Sequence, residues 1–373
     1  MKLLSAIFFL LFSITLAGQK KVHLLVGTYT NGKSEGIYVY DFDTDNANNK
    51  FISSIKSSNP SFLAVSPNKK FVYAVNEEGD SLNNGGAVSA YSFNKKTSKL
   101  QYINQQRSGG NHPCYITTDT NGKWVIIANY SGGSFSVMQV KKNGSLAAAK
   151  TIVQHSGKST NSSRQEKAHV HTTVLTNNNK YLLVSDLGLD KVFSYPFNAV
   201  TGMVAKNEVK TTSVIGGAGP RHLAIHPSQK FVFITQELNG TIAAFSINNI
   251  GELKLLQTIS AVPEAYKGSF GGADIHASAD GKFLYASNRG ESNSIAIFSI
   301  DQATGILTSI GHQQTFGSKP RNFNFDPSGN FLLVANQDSD NIVILKINHQ
   351  TGLLTDTGKR ITVPAPVCIK WIE

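Results

Sequence analysis

Cysteine is nearly missing from this chain of 373 residues, which holds two, Cys114 and Cys368. That scarcity excludes a disulfide framework and any cysteine-rich zinc site. Acidic residues are also few, 24 Asp and Glu against 35 Lys and Arg, giving a formal charge of +11. The balance favours anionic partners. The lysines, however, are scattered through turns such as "NGK" and "NNNK", and no basic block interleaves with aromatics, so nucleic acid is not expected as a partner. No "GxSxG" elbow for a serine nucleophile appears at a strand-to-helix turn. The glycines of "GGAGP" and "GGSF" precede no helix, so they read as turns and not as a phosphate cradle. No cofactor and no metal are called for.

The apolar run that opens the chain lies in "MKLLSAIFFLLFSITLAGQKK", with a lysine before it and the small residues Ala17 and Gly18 after it. This is the three-part plan of a secretory signal, and the run is too short for a stable membrane span. Residues 1–18 are therefore expected to be a cleaved leader, and 19–373 a single exported domain, periplasmic or secreted.

What the chain has in abundance is one sentence written six times: "NPSFLAVSPNKKFVYAVNE", "HPCYITTDTNGKWVIIANY", "VHTTVLTNNNKYLLVSDLG", "GPRHLAIHPSQKFVFITQE", "ADIHASADGKFLYASNR" and "KPRNFNFDPSGNFLLVANQ". Each is a short strand, a polar turn and an aromatic-led apolar strand. A third strand follows, such as "GTIAAFSIN", and in most units a more polar fourth, such as "LKLLQTIS". Four strands every fifty residues or so is the period of propeller blades. A seventh unit is split between the ends, "KVHLLVGTYT" and "GIYVYDFD" at the front and "PAPVCIKWI" at the back. The expected fold is all-β, a seven-bladed β-propeller of four-stranded antiparallel blades, closed by pairing of the terminal strands. The second strands are apolar at consecutive positions, as blades buried on both faces require. Cys114 and Cys368 fall two blades apart and read as buried free thiols.

Aligned units reveal where one departs from its siblings. The column that begins the innermost strand reads Ser61, Cys114, His171, Arg221, Ala273 and Arg321; the column after the second strand reads Glu77, Tyr130, Leu187, Glu237, Arg289 and Gln337. Antiparallel pairing sets the start of one strand beside the end of the next, so both columns ring one mouth of the channel. Charge converging there suggests an anion site; rim salt bridges of Glu237 with Arg289 or Arg221 are the plainer alternative. His169 and His171, like Asp274 and His276, are two apart on a strand and are expected to point to one side. For the two histidines a shared substrate, a packed core position and a metal are the readings in that order, the last needing a third ligand such as Asp186, Asp274 or His276. His222 adjoins Arg221, while His226 and His312 read as solvated. Two long loops, "HSGKSTNSSRQEKA" and "VPEAYKGSFGG", fall on the same rim, where length suggests function.

Taken in order, "VGTYT", "RQEKAHVH", "GPRHLAIHP" with "TQE", "ADIHASADGKFLYASNRG", "KPRNFNFDPSGNFLLVAN" and "PAPVCIKWI" resemble the seven-bladed propeller lactonases across the whole mature chain. That group holds the propeller-type 6-phosphogluconolactonases and the fungal carboxymuconate-lactonising enzymes. The resemblance implies hydrolysis of a sugar lactone and a small anionic lactone as partner. It places the family's active-site His in "HVH", at His171 or its neighbour His169, and its Arg, Glu and second Arg at Arg221, Glu237 and Arg289. Family members often carry Glu where this chain has Asp274. Glu237 or His171 is then the expected base, and Arg221 and Arg289 the expected anion clamps. His169, His222, Asp274, His276 and Arg321 are the expected substrate-binding residues. A non-catalytic platform for an anionic glycan or protein, and a lactone-forming cycloisomerase, are the alternatives.

Overall fold

The computed structural model describes residues 21–79, 85–263 and 265–373. The leader expected at 1–18 lies outside them. Seven antiparallel sheets form the ring. Blade 1 runs from Leu63–Val65 through Phe71–Asn76 and Ala87–Asn94 to Lys99–Arg107. The innermost strands of blades 2 to 6 are Pro113–Thr118, Val170–Leu175, Pro220–Ile225, Phe270–Ala277 and Pro320–Phe325. Blade 7 joins the ends of the chain: Pro366–Ile372 lies innermost and pairs with Lys21–Thr28, His23 facing Ile372 and Val26 facing Ile369. Blade 3 differs at its outer edge, where Met203–Val204 and Lys210–Ser213 both pair with Lys191–Asn198. Helix among the described residues is limited to two 3-10 turns, Lys206–Glu208 and Gln337–Ser339.

The second strands are buried along their whole length in blades 2, 4 and 6, because each blade is covered by a neighbour on both faces. Phe42, Phe135, Phe233, Phe245 and Phe298 fill the seams between blades. Each such ring contributes about 1.5–3 kcal/mol by leaving water. Outermost strands such as Lys99–Arg107 alternate toward solvent.

A polar residue closes the turn between the first two strands in every blade that repeats it. Ser66, Thr176 and Ser278 accept from the backbone N–H of Phe71, Tyr181 and Phe283 through their hydroxyls, and Asp119 and Asp326 from Trp124 and Phe331 through their carboxylates. His226 occupies this column in blade 4. Its Nδ1 meets the Ser228 hydroxyl and its Nε2–H donates to the Gly281 carbonyl of blade 5 at 2.9 Å, so it is buried and not solvated as its turn position suggested. His312 likewise donates to the Ala261 carbonyl at 3.2 Å. Both cysteines are buried and unpaired.

One irregularity matters for the site. In blades 2 to 7 the pairing of the innermost strand slips at its start, between Pro113 and Tyr115, Val170 and Thr172, Pro220 and Leu223, Gly272 and Ile275, Pro320 and Asn322, and at Thr28 opposite Pro366. These are β-bulges at one level of the ring, and a bulge re-aims the side chains it carries. Cys114, His171, Arg221, Ala273 and Arg321 all sit in them.

Candidate active site

Where the two charged columns meet, a cavity of about 180 Å³ is lined by Tyr29, Glu77, Cys114, Tyr130, Arg164, His171, Glu237, Arg289 and Arg321. All but Arg164 come from the two columns. Tyr29 is the split blade's counterpart of Glu77, each following the second strand of its blade. Past Arg164, Glu237 and Arg289 the cavity shares its wall with a wider groove of about 640 Å³, lined also by Phe270, Glu291 and Lys319.

Glu237 is the most heavily paired carboxylate here. Its Oε1 accepts from Arg164 Nη2 at 2.6 Å, and its Oε2 lies 2.9 Å from Arg221 Nε and 3.1 Å from Arg289 Nη2. Burial alone would raise its pKa, but Arg289, Arg221 and Arg164 overcome that and hold it at about 2. Arg221 stands behind this carboxylate, 1 % exposed, and donates through Nη1 to the Ala273 carbonyl. Burial and repulsion from Arg289 and Arg321 lower its pKa to about 10, which leaves it charged at neutrality. The rim salt bridges expected as the plainer reading are therefore present, inside the same cavity.

On the facing wall the Tyr29 hydroxyl donates to Glu77 Oε2 at 2.8 Å, and Arg321 Nη2 stands 3.8 Å from the same oxygen. The Arg321 guanidinium also lies over the Tyr29 ring, 5.2 Å from its centroid. His171 lies between the walls, with Nδ1 3.7 Å from Cys114 Sγ. Burial, and then the nearby Arg221, hold its pKa well below the ordinary value, so the ring is neutral.

His169 does not share the cavity with His171, because the bulge at Val170 to Thr172 breaks the two-residue alternation. Its ring stacks on Tyr130 at 4.5 Å and its Nε2 faces Glu166 at 3.1 Å. His222, Asp274 and His276 form a layer beneath. His222 Nδ1–H donates to Asp274 Oδ1 at 2.7 Å, and His276 Nε2 meets Asp274 Oδ2 at 3.0 Å. Asn322 donates to the same carboxylate, and the His222 ring meets the stacked Phe62 and Tyr115 rings edge to face across the channel. Burial and Arg221 take the His222 pKa down to about 3. None of His222, Asp274 and His276 lines the cavity; His222 stands beneath it, its ring 5.2 Å from that of His171. Among the described residues no cluster of His, Cys, Asp and Glu could hold a metal ion.

Two contributors escaped sequence reasoning. Tyr29 belongs to the rim column but was hidden by the split blade. Arg164 has no sibling, since it comes from the long loop before His169; the loop's length was the available signal. That loop is tied down by His155, whose ring bridges Asp186 at 2.8 Å and the Tyr195 hydroxyl at 2.9 Å, while Asp186 also accepts from the His169 N–H at 2.8 Å. Gly188 lets it pass close, because a Cβ there would overlap the Lys167 carbonyl.

A seven-bladed propeller with a charged, partly enclosed cavity at one mouth defines the class. The description "Lactonase, 7-bladed beta-propeller" matches residues 23–371. The chain belongs to that family, and its relatives named below are lactone hydrolases. It is 35 % identical over 353 residues to a 6-phosphogluconolactonase of Bacillus subtilis, covering 93 % of this chain and 97 % of that protein. A second 6-phosphogluconolactonase, from Formosa agariphila, is 37 % identical over 91 % of this chain and 96 % of its own length. The solved periplasmic gluconolactonase of Pseudomonas aeruginosa superimposes with a TM-score of 0.88 at 34 % identity, over 95 % of this chain and 99 % of that one. No helix among the described residues is long and apolar enough to cross a membrane.

Proposed function

We propose that this protein hydrolyses an unphosphorylated sugar lactone to its aldonic acid, outside the cytoplasm. The observation that carries the reading is the charge of the cavity lining. Three guanidinium groups, of Arg164, Arg289 and Arg321, face two carboxylates, of Glu77 and Glu237, beside a neutral His171. The lining carries one net positive charge and the charged Arg221 behind Glu237 adds a second, which suits a lactone that becomes a tetrahedral oxyanion. The leader-like start of the chain and the periplasmic gluconolactonase among its structural relatives point to the same substrate class and location.

Arg289 and Arg321 reach the cavity and receive the developing oxyanion; Arg164 adds a third guanidinium from the loop. Arg221 acts through Glu237, holding its carboxylate where it orders Arg164 and Arg289. His171 presents a neutral ring to the lactone. Wild-type protein is expected to open δ-gluconolactone well above the spontaneous rate and faster than 6-phosphogluconolactone or a muconolactone. Arg289→Ala should lose about 10²–10³ in kcat/KM, the scale of one oxyanion donor. No acceleration of any of the three lactones by the wild type overturns the reading.

A further inference from the structure

Lactone hydrolysis needs a group that takes a proton from the attacking water, and the cavity holds two carboxylates that could. Their surroundings differ. Both oxygens of Glu237 are engaged by guanidinium groups within 3.1 Å. Three guanidinium groups share this carboxylate, and accepting the proton would leave the buried Arg221, with Arg289 and Arg164, without their common anion. His171 is neutral and buried beside Arg221, where an imidazolium would be repelled.

Glu77 is built differently. One oxygen, Oε2, is held by the Tyr29 hydroxyl at 2.8 Å with Arg321 at 3.8 Å, and Oε1 has no hydrogen-bond partner among the described residues. The Arg321 guanidinium in turn rests on the Tyr29 ring. One oxygen anchored and one open is the arrangement of a carboxylate that is oriented and still able to accept. The side chain is 15 % exposed and lines the cavity opposite Glu237. The charged and titratable groups that share the cavity with it are Tyr29, Arg321, Cys114, His171 and Tyr130 and, across it, Glu237, Arg289 and Arg164.

Resting on the lactonase reading above, we infer that Glu77 is the general base of this site, with Tyr29 as its positioning residue, and that Glu237 serves to order the arginines. Glu77 takes a proton from water as the water oxygen bonds to the lactone carbonyl carbon, and the carbonyl π pair moves onto oxygen, facing Arg289 and Arg321. When that pair returns, the ring C–O bond breaks. The departing alkoxide takes the proton from Glu77, which is again a carboxylate, and the aldonic acid ionises on release. Water and lactone are the only reactants consumed.

The test is steady-state hydrolysis of δ-gluconolactone by Glu77→Gln, Glu77→Ala, Glu237→Ala and Tyr29→Phe, with melting temperatures recorded beside it. Glu77→Gln should lower kcat by about 10²–10⁴-fold with KM changed by less than about threefold. Added formate should restore rate to Glu77→Ala in a saturable manner and leave Glu237→Ala, whose main defect is a raised KM, unaffected. Tyr29→Phe removes the phenol that orients this carboxylate, so kcat should fall by about tenfold or more with KM changed by less than about threefold. This last readout keeps the inference open to refutation if the Glu77 variants fail to fold. A Glu77→Gln enzyme within about tenfold of wild type, formate rescue of Glu237→Ala in place of Glu77→Ala, or an unchanged kcat in Tyr29→Phe would each overturn it. Inactivity of the wild type would instead strike the parent reading.

Discussion

On the blade 4 wall of the cavity, Glu237 is shared by three arginines, one of them buried behind it. On the wall made by blades 7 and 1, Glu77 leans on a phenol and stands 3.8 Å from one guanidinium. Both carboxylates end a second strand at the same level of the ring, so the repeat gives them the same place and only their neighbours separate them. On the inference drawn above, the carboxylate with three cationic partners orders the arginines and the one with an open oxygen serves the water. The aligned columns mark both positions alike, and the partners each carboxylate finds distinguish them.

The largest effect expected on this contrast comes from the buried cation. Arg221→Met takes away a charge-assisted partner of Glu237 and the donor to the Ala273 carbonyl, and should cost about 3–5 kcal/mol in urea unfolding. A loss below about 1 kcal/mol would mean that the blade 4 wall is not held by this pair.

Acid should act next, through the floor beneath the same wall. His222 has a folded pKa of about 3, lowered by burial and Arg221, against about 6.5 in the unfolded chain. The unfolded state therefore binds a proton that the folded state refuses between those values. Stability is whole above about pH 6.5 and declines as pH falls, by about 2 kcal/mol at pH 5 from this residue alone. His171 is shifted in the same direction. Urea midpoints at pH 7 and pH 5 check this, and His222→Gln should flatten the slope.

Arg164→Ala should have the smallest effect on stability. Its side chain is 43 % exposed, so solvent screens its pairing with Glu237 to roughly 0.2–1 kcal/mol. Its expected signature is a several-fold rise in KM with little change in melting temperature. A large loss of stability would show that the loop, and not the strand ends, organises this wall.

Much of this was legible before any coordinates. His171, Arg221, Glu237, Arg289 and Arg321 stand out because six sibling units show what those positions hold when packing alone decides. Tyr29 fell out of the comparison because its blade is assembled from both ends of the chain. Arg164 fell out because a non-repeating loop has no sibling. His169 stands apart from His171 because two-residue alternation assumes a regular strand and this innermost strand begins with a bulge, whereas Asp274 and His276 do share one side, 3.0 Å apart. His226 was misread because its turn is covered by the next blade.

The sequence by itself determined the number of blades, the closure of the ring between its ends and the mouth at which charge collects. Those follow from a period, from apolar faces on both sides of a strand and from the side of a hairpin on which a residue falls, all of which are local. Only the tertiary structure decided which charges meet. Arg164 and Glu237 are 73 residues apart, and Glu77 takes its hydrogen bond from Tyr29, 48 residues earlier. Coulombic pairing depends on distances of a few ångströms between side chains from different blades, and no repeat unit encodes those distances.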